Sequence, residues 1–191
     1  MARNLINLES ASKAFDIRPL LDQVSLGLNE GERIGVVGRN GGGKSTLMRV
    51  MSGVEPLDAG RVSIASDVRI GFLNQVDDAD SEATVRDVVV GDAAKHEWAS
   101  SSKVREVLHG LFGGFEDEIL DRSFHSLSGG ERRRVSLAKL LISEIEVLLL
   151  DEPTNHLDVE GVAWLASHIK SRKDLAVVVI THDRWFLDEV S

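Results

Sequence analysis

The chain has 191 residues, 42% of them hydrophobic and 28% charged, enough for one domain with a sizeable core and unlike a disordered segment. A net charge of −9 argues against broad electrostatic binding to nucleic acid, which needs clustered cations; Arg132-Arg133-Arg134 is left as a local basic run. With no cysteine, disulfides and thiolate metal sites are excluded, and the six histidines show no paired zinc spacing. The longest apolar runs, such as Leu175 to Ile180, are too short to cross a bilayer, and residues 1–5 lack a signal peptide's pattern; the expectation is a cytoplasmic protein.

In chain order, Leu5 to Leu8 and the alternating Val24, Leu26 and Leu28 read as short strands. Arg33 to Val37 is a strand running into a glycine-rich turn, followed by a helix over Ser45 to Ser52 that Gly53 ends. Arg61 to Ile64 and Val68 to Leu73 are two further strands, and residues 77–82 form an acidic connector. Thr84 to about Leu111 is helical, interrupted near Gly91 and at the serines 100–102, and a second helix covers Glu131 to Ile142. Val147 to Leu150 and Leu175 to Ile180 are unbroken apolar runs, suited to parallel strands covered on both faces, with a helix at Val162 to Lys170 between them. The expected organisation is a P-loop α/β core (about 1–75 and 144–191) with a helical subdomain inserted at about 76–143.

The turn Gly38-Arg39-Asn40-Gly41-Gly42-Gly43-Lys44-Ser45 fits G-x-x-x-x-G-K-[ST] between a strand and a helix. Glycines let successive backbone N–H groups point inward at a phosphate, and the helix N-terminus adds its own free amides. Lys44 would reach the β and γ phosphates of ATP, the Ser45 hydroxyl would ligate Mg²⁺, and Thr46 would contact the α-phosphate. Leu148-Leu149-Leu150-Asp151-Glu152 sets two carboxylates at the end of a buried strand, where open α/β sheets bind ligands. Asp151 would hold Mg²⁺ and Glu152 would act as general base. A parallel neighbouring strand would bring His182 to the γ-phosphate from the same edge, although a loop histidine taken alone is more often a bystander.

Beside these motifs, Leu127-Ser128-Gly129-Gly130-Glu131 resembles the ABC signature, 20 residues before Asp151. The resemblance spans nearly the whole chain and implies an ABC-type α/β fold, with an N-terminal antiparallel β subdomain and an inserted helical subdomain carrying the signature. It further implies that Ser128, Gly129 and Gly130 meet the γ-phosphate of ATP held by a second ABC ATPase domain. Gln75 would be the Q-loop residue meeting Mg²⁺ and the attacking water. Phe15 would stack on adenine, where a phenylalanine otherwise reads as core, and Asp158 would lie at the dimer interface.

Within that superfamily, residues 151–158 (Asp-Glu-Pro-Thr-Asn-His-Leu-Asp) and 181–188 (Thr-His-Asp-Arg-Trp-Phe-Leu-Asp) resemble the ABC-F branch. Val37-Gly38-Arg39-Asn40 and Pro19-Leu20-Leu21-Asp22 are similar to its Uup-type members. The branch implies a tandem of ATPase domains, many of them acting on the ribosome; here one set of motifs is present and Val76 to Leu127 leaves little room for an inserted arm. The expected functions are an ABC-F ATPase in translation, an ATP-binding subunit of a membrane transporter, or a non-hydrolysing ATP-gated scaffold.

Overall fold

The computed structural model describes residues 2–15, 18–73, 83–91, 101–113 and 116–191. Strands β1 (Asn4–Phe15) and β2 (Arg18–Asn29) pair antiparallel, and β4 (Ala59–Ile64) joins the other edge of β1. Their 12-residue length exceeds the short strands expected, because repeated shifts of register break the alternation that marks a strand in sequence. The second sheet is entirely parallel, in the order β3 (Arg33–Val36), β7 (Ala176–Ile180), β6 (Val147–Asp151), β5 (Ile70–Leu73). Helix α1 (Lys44–Met51) follows β3.

The apolar strands face two cores, as their unbroken composition requires. Val147 and Leu149 of β6, with Ala176, Val178 and Ile180 of β7, pack with Met48 and Met51 of α1 and with Leu5, Ile6 and Leu8 of β1. The alternate residues Leu148, Leu150, Val177 and Val179 belong to the helical side. Successive side chains of a strand point to opposite faces, so a strand covered on both sides shows no polar positions.

The helical side comprises α2 (Val85–Val90), α3 (Ser102–Phe112), α4 (Glu116–Leu120), a 3-10 turn at Phe124–Ser126, α5 (Gly129–Ile142), α6 (Val159–Ser171) and α7 (Arg184–Val190). A Thr84–Asp87 capping box starts α2, Gly91 ends it, and Ser101 caps α3. The sequence reading omits α4 and the 3-10 turn, since five and three residues are too few to display a 3.6-residue period. The basic run is also corrected: Arg133 donates to the backbone carbonyls of Asp151 and Glu152, and Arg134 donates to that of His156 at 2.7 Å. Two of its three cations are turned inward.

Helices α3 and α6 meet at one close approach. A Cβ on Gly110 would fall within the Trp164 ring, which stacks on His168 with centroids 4.9 Å apart. Gly110→Ala is therefore expected to destabilise the fold by about 1–3 kcal/mol through overpacking, read as a lowered urea midpoint. Combining it with Trp164→Leu should recover part of the loss.

His168 is buried, and that burial holds its imidazole below the ordinary value of 6.5; the nearby cations Arg172 and Lys103 act in the same direction, and the Glu106 carboxylate at 3.4 Å only partly offsets them. The unfolded chain then binds a proton that the native fold refuses. Stability from this group is complete above about pH 6.5 and declines as the pH falls below it. His168→Gln should flatten that slope in denaturation curves measured between about pH 5 and 7.

Candidate active site

The turn after β3 is shaped by its glycines. Gly41 (φ 76°) and Gly43 (φ 82°) occupy the left-handed region, and a Cβ on Gly43 would strike the Leu20 carbonyl. Gly42 N–H donates to Arg39 O at 3.1 Å, closing the turn. Helix α1 then begins with no side-chain cap and no acidic residue in its first turn, leaving its amides and positive dipole end to an anion. The Lys44 ammonium folds over the loop, donating to Gly38 O at 2.9 Å and Arg39 O at 3.0 Å.

Facing this turn are the ends of β6 and β7. Asp151 is 4% exposed, and no side-chain hydrogen bond engages its carboxylate among the described residues. Glu152 departs from the strand at φ 51°, its N–H donating to Ile180 O at 2.7 Å. This left-handed kink turns its carboxylate to His182, whose Nε2 lies 3.4 Å from Glu152 Oε1 and 3.1 Å from Asn40 Oδ1. A non-glycine residue in that region carries strain of order 1–3 kcal/mol and persists where surrounding contacts over-determine it. Here they are the β7 carbonyl and the Arg133 guanidinium, which sequence reading missed because its partners lie 18 and 19 residues away.

Asn40, Gly41, Gly43, Lys44, Ser45, Thr46, Asp151, Glu152 and His182 thus line one cleft of about 500 Å³. The signature is elsewhere: Ser128, Gly129 and Gly130 do not line it. Ser128 caps α5 in a reciprocal box, its hydroxyl accepting from Glu131 N–H at 3.3 Å while Glu131 accepts from Ser128 N–H at 2.8 Å. That bond, the Ser128 hydroxyl and the Arg122 guanidinium at 2.8 Å hold the Glu131 carboxyl down to about 2. The box uses the amides of Ser128 and Glu131 and leaves those of Gly129 and Gly130 for an outside acceptor. Asp158 caps α6 through Gly161 N–H at 2.8 Å and is otherwise exposed. Phe15 stands at the end of β1, 49% exposed. Gln75 lies outside the described residues.

No group of three or more His, Asp or Glu among the described residues forms a protein-only metal cage. The Asp151 carboxylate and the Ser45 hydroxyl, both lining one cleft, nevertheless suit a hard divalent cation that completes its shell with phosphate oxygens and water.

A strand–P-loop–helix cradle facing paired acids on a parallel sheet, with a capped Ser-Gly-Gly turn on another surface, defines an ABC ATP-binding domain. The pattern of the family described as ABC transporter matches residues 21–155, and the chain belongs to that family. Proteins of the ABC-F branch are among its curated relatives. It is 34% identical to the energy-dependent translational throttle protein EttA of Mycobacterium tuberculosis (strain H37Rv), over all of this chain and 40% of that protein. It is 35% identical to the tylosin resistance ATP-binding protein TlrC of Streptomyces fradiae, over 97% of this chain and 41% of that one. Both matches run over more residues, 228 and 227, than the 191 of this chain, so each relative carries residues with no counterpart here. In an archaeal ribosome recycling factor solved with a ribosomal stalk protein, the likeness covers 100% of this chain and 36% of that one, at TM-score 0.83 and 29% identity. The chain thus spans about two fifths of the curated relatives it matches.

The two left-handed glycines differ in a way that can be measured. Gly41 has open space around it, so Gly41→Ala should cost only the conformational term of about 1–2 kcal/mol. Gly43→Ala adds the collision with Leu20 and should cost a further 1–3 kcal/mol, roughly. Urea unfolding without nucleotide separates the two; equal losses would contradict this account of the turn.

Proposed function

We propose that this chain is the ATP-hydrolysing unit of an ABC-F type factor in the cytoplasm, closing head to tail on a second ABC ATPase domain around two ATP molecules. The observation that carries it is Glu152 beside His182 at the strand ends opposite the Gly38–Ser45 turn. The amides of residues 38–45 and the Lys44 ammonium hold the β and γ phosphates, with Thr46 toward the α-phosphate. Ser45 and Asp151, with Gln75, would hold Mg²⁺, which supplies charge neutralisation on the phosphates. Glu152 takes a proton from water as its oxygen bonds to the γ-phosphorus and the bond to the bridging oxygen breaks, giving ADP and phosphate. His182 keeps the γ-phosphate and Glu152 in line. Phe15 stacks on the adenine.

The partner domain supplies Ser128 and the Gly129–Gly130 amides. ATP thereby bridges the two domains, and loss of the γ-phosphate releases them. A role on the ribosome is supported by the relatives' names, a translational throttle and a ribosome recycling factor. The domain division proposed is the α/β core at about 1–75 and 144–191, with residues 76–143 as the helical unit.

Glu152→Gln is expected to bind ATP as the unaltered protein does, to accumulate as an ATP-held dimer in size exclusion, and to lose hydrolysis by about 10²–10⁴-fold. Substantial phosphate release by that variant would remove Glu152 from its role. For the unaltered chain, specific activity should rise with protein concentration, because each site lacks a signature until a second domain arrives.

A further inference from the structure

An ammonium lies beneath the exposed ring at the end of β1. Lys13 is 9% exposed, and its Nζ sits 5.5 Å from the Phe15 centroid, within cation–π range. The ammonium is not free to swing away: it bonds Glu55 at 2.9 Å and Asp58 at 3.2 Å, both from the loop between α1 and β4. These contacts raise its pKa above the ordinary lysine value, so it stays charged.

A plain structural tie between that loop and β1 does not require the lysine. Asp58 already accepts from Ala14 N–H at 2.8 Å and donates its own N–H to Ser12 O at 3.0 Å. Burying an ammonium is costly unless it is fully paired, and here it is placed over a ring that remains half open to solvent. The hairpin register sets Lys13 opposite Leu21 and Ala14 opposite Pro19, so Leu20, which lines the phosphate cleft, is their neighbour. One face of the ring is thus occupied by a fixed cation, on the strand pair whose Leu20 lines the cleft.

We propose that Lys13, clamped by Glu55 and Asp58, is a positioning residue for the nucleobase: it covers one face of Phe15 and restricts a stacked purine to the other. This rests on the stacking role of Phe15 proposed above. A cation on one face draws ring electrons toward itself and leaves the opposite face better matched to an electron-rich base. Lys13 acts on the base through Phe15 and makes no contact with the phosphates.

The test compares magnesium ATP with inorganic tripolyphosphate, which carries the phosphates and no base, by titration calorimetry. Phe15→Ala and Lys13→Met should each weaken ATP, the latter by roughly threefold to tenfold, and leave tripolyphosphate unchanged. In a Phe15→Ala background, Lys13→Met should have no further effect; with Phe15 present, Lys13→Arg, which keeps the cation, should bind ATP as the unaltered protein does. Should Lys13→Met fail to fold, Asp58→Asn, which keeps the volume and removes one anchor, serves the same comparison. Wild-type ATP affinity in these variants, equal weakening of both ligands, or a Lys13 effect that persists without Phe15 would each overturn the proposal. If Phe15→Ala itself leaves ATP binding intact, the stacking reading fails first and the proposal with it.

Discussion

The candidate site depends on the register of three parallel strands. Ile180, the last residue of β7, is paired on one side with Val36, the last of β3, and on the other with Asp151, the last of β6. The three chains therefore leave the sheet at one level, about 4.8 Å apart. Residues 37–45, 152 and 181–182 begin from that edge, and a cleft lined from all three follows without any further device. A slip of one residue in β6 would turn Asp151 to the other face and exchange every side chain between the two cores. Because both faces of β6 and β7 are apolar, core burial alone discriminates weakly against such a slip. The neighbouring strands and the backbone bond from Glu152 N–H to Ile180 O specify the register instead.

Helix α5 links that edge to the signature. It begins at the Ser128 cap, and one turn later Arg133 holds the carbonyls at which the chain kinks into Glu152, while Arg134 holds the His156 carbonyl in the segment that follows. The strained conformation of Glu152 is fixed from the β7 side and from the α5 side at once. A movement of the Ser-Gly-Gly turn would be felt at the Glu152 carboxylate through a single helix, which gives the proposed pairing of domains a physical path to the proposed chemistry.

Much of this is legible in the sequence. The phosphate turn has a pattern whose chemistry dictates its strand–helix setting, and the doubly covered strands announce themselves by unbroken apolar runs; both stand where the residues predict. Short or irregular elements did not show: α4 is too brief for a period, and the repeated shifts between β1 and β2 hide a 12-residue pairing. The ion-pair cluster at Lys13 is equally invisible in the sequence, since its partners Glu55 and Asp58 are brought in by the return of the chain through α1 and its loop. Arg133 and Arg134 carry the same lesson with opposite sign. A run of cations suggests a surface patch, yet a helix turns successive residues by about 100°, and two of these three found backbone carbonyls to satisfy.

The geometry of the cap bears on the proposed pairing of two domains. The Ser128–Glu131 box consumes two of the amides at the start of α5, and the Glu131 carboxylate, held down to about 2, stays ionised at any physiological pH. What remains for a ligand is narrow: the Gly129 and Gly130 amides, since the Ser128 hydroxyl is itself engaged with Glu131. That set can hold a phosphate already shaped and charged, but it brings no lysine, no metal-binding acid and no base. In the roles proposed above, Lys44, Asp151 and Glu152 would bring all three to the cleft, which lacks these donors. Two incomplete and complementary surfaces on one chain are satisfied together when a pair of domains joins each to the other's opposite, and a two-fold axis closes that arrangement at two sites without leaving a surface over.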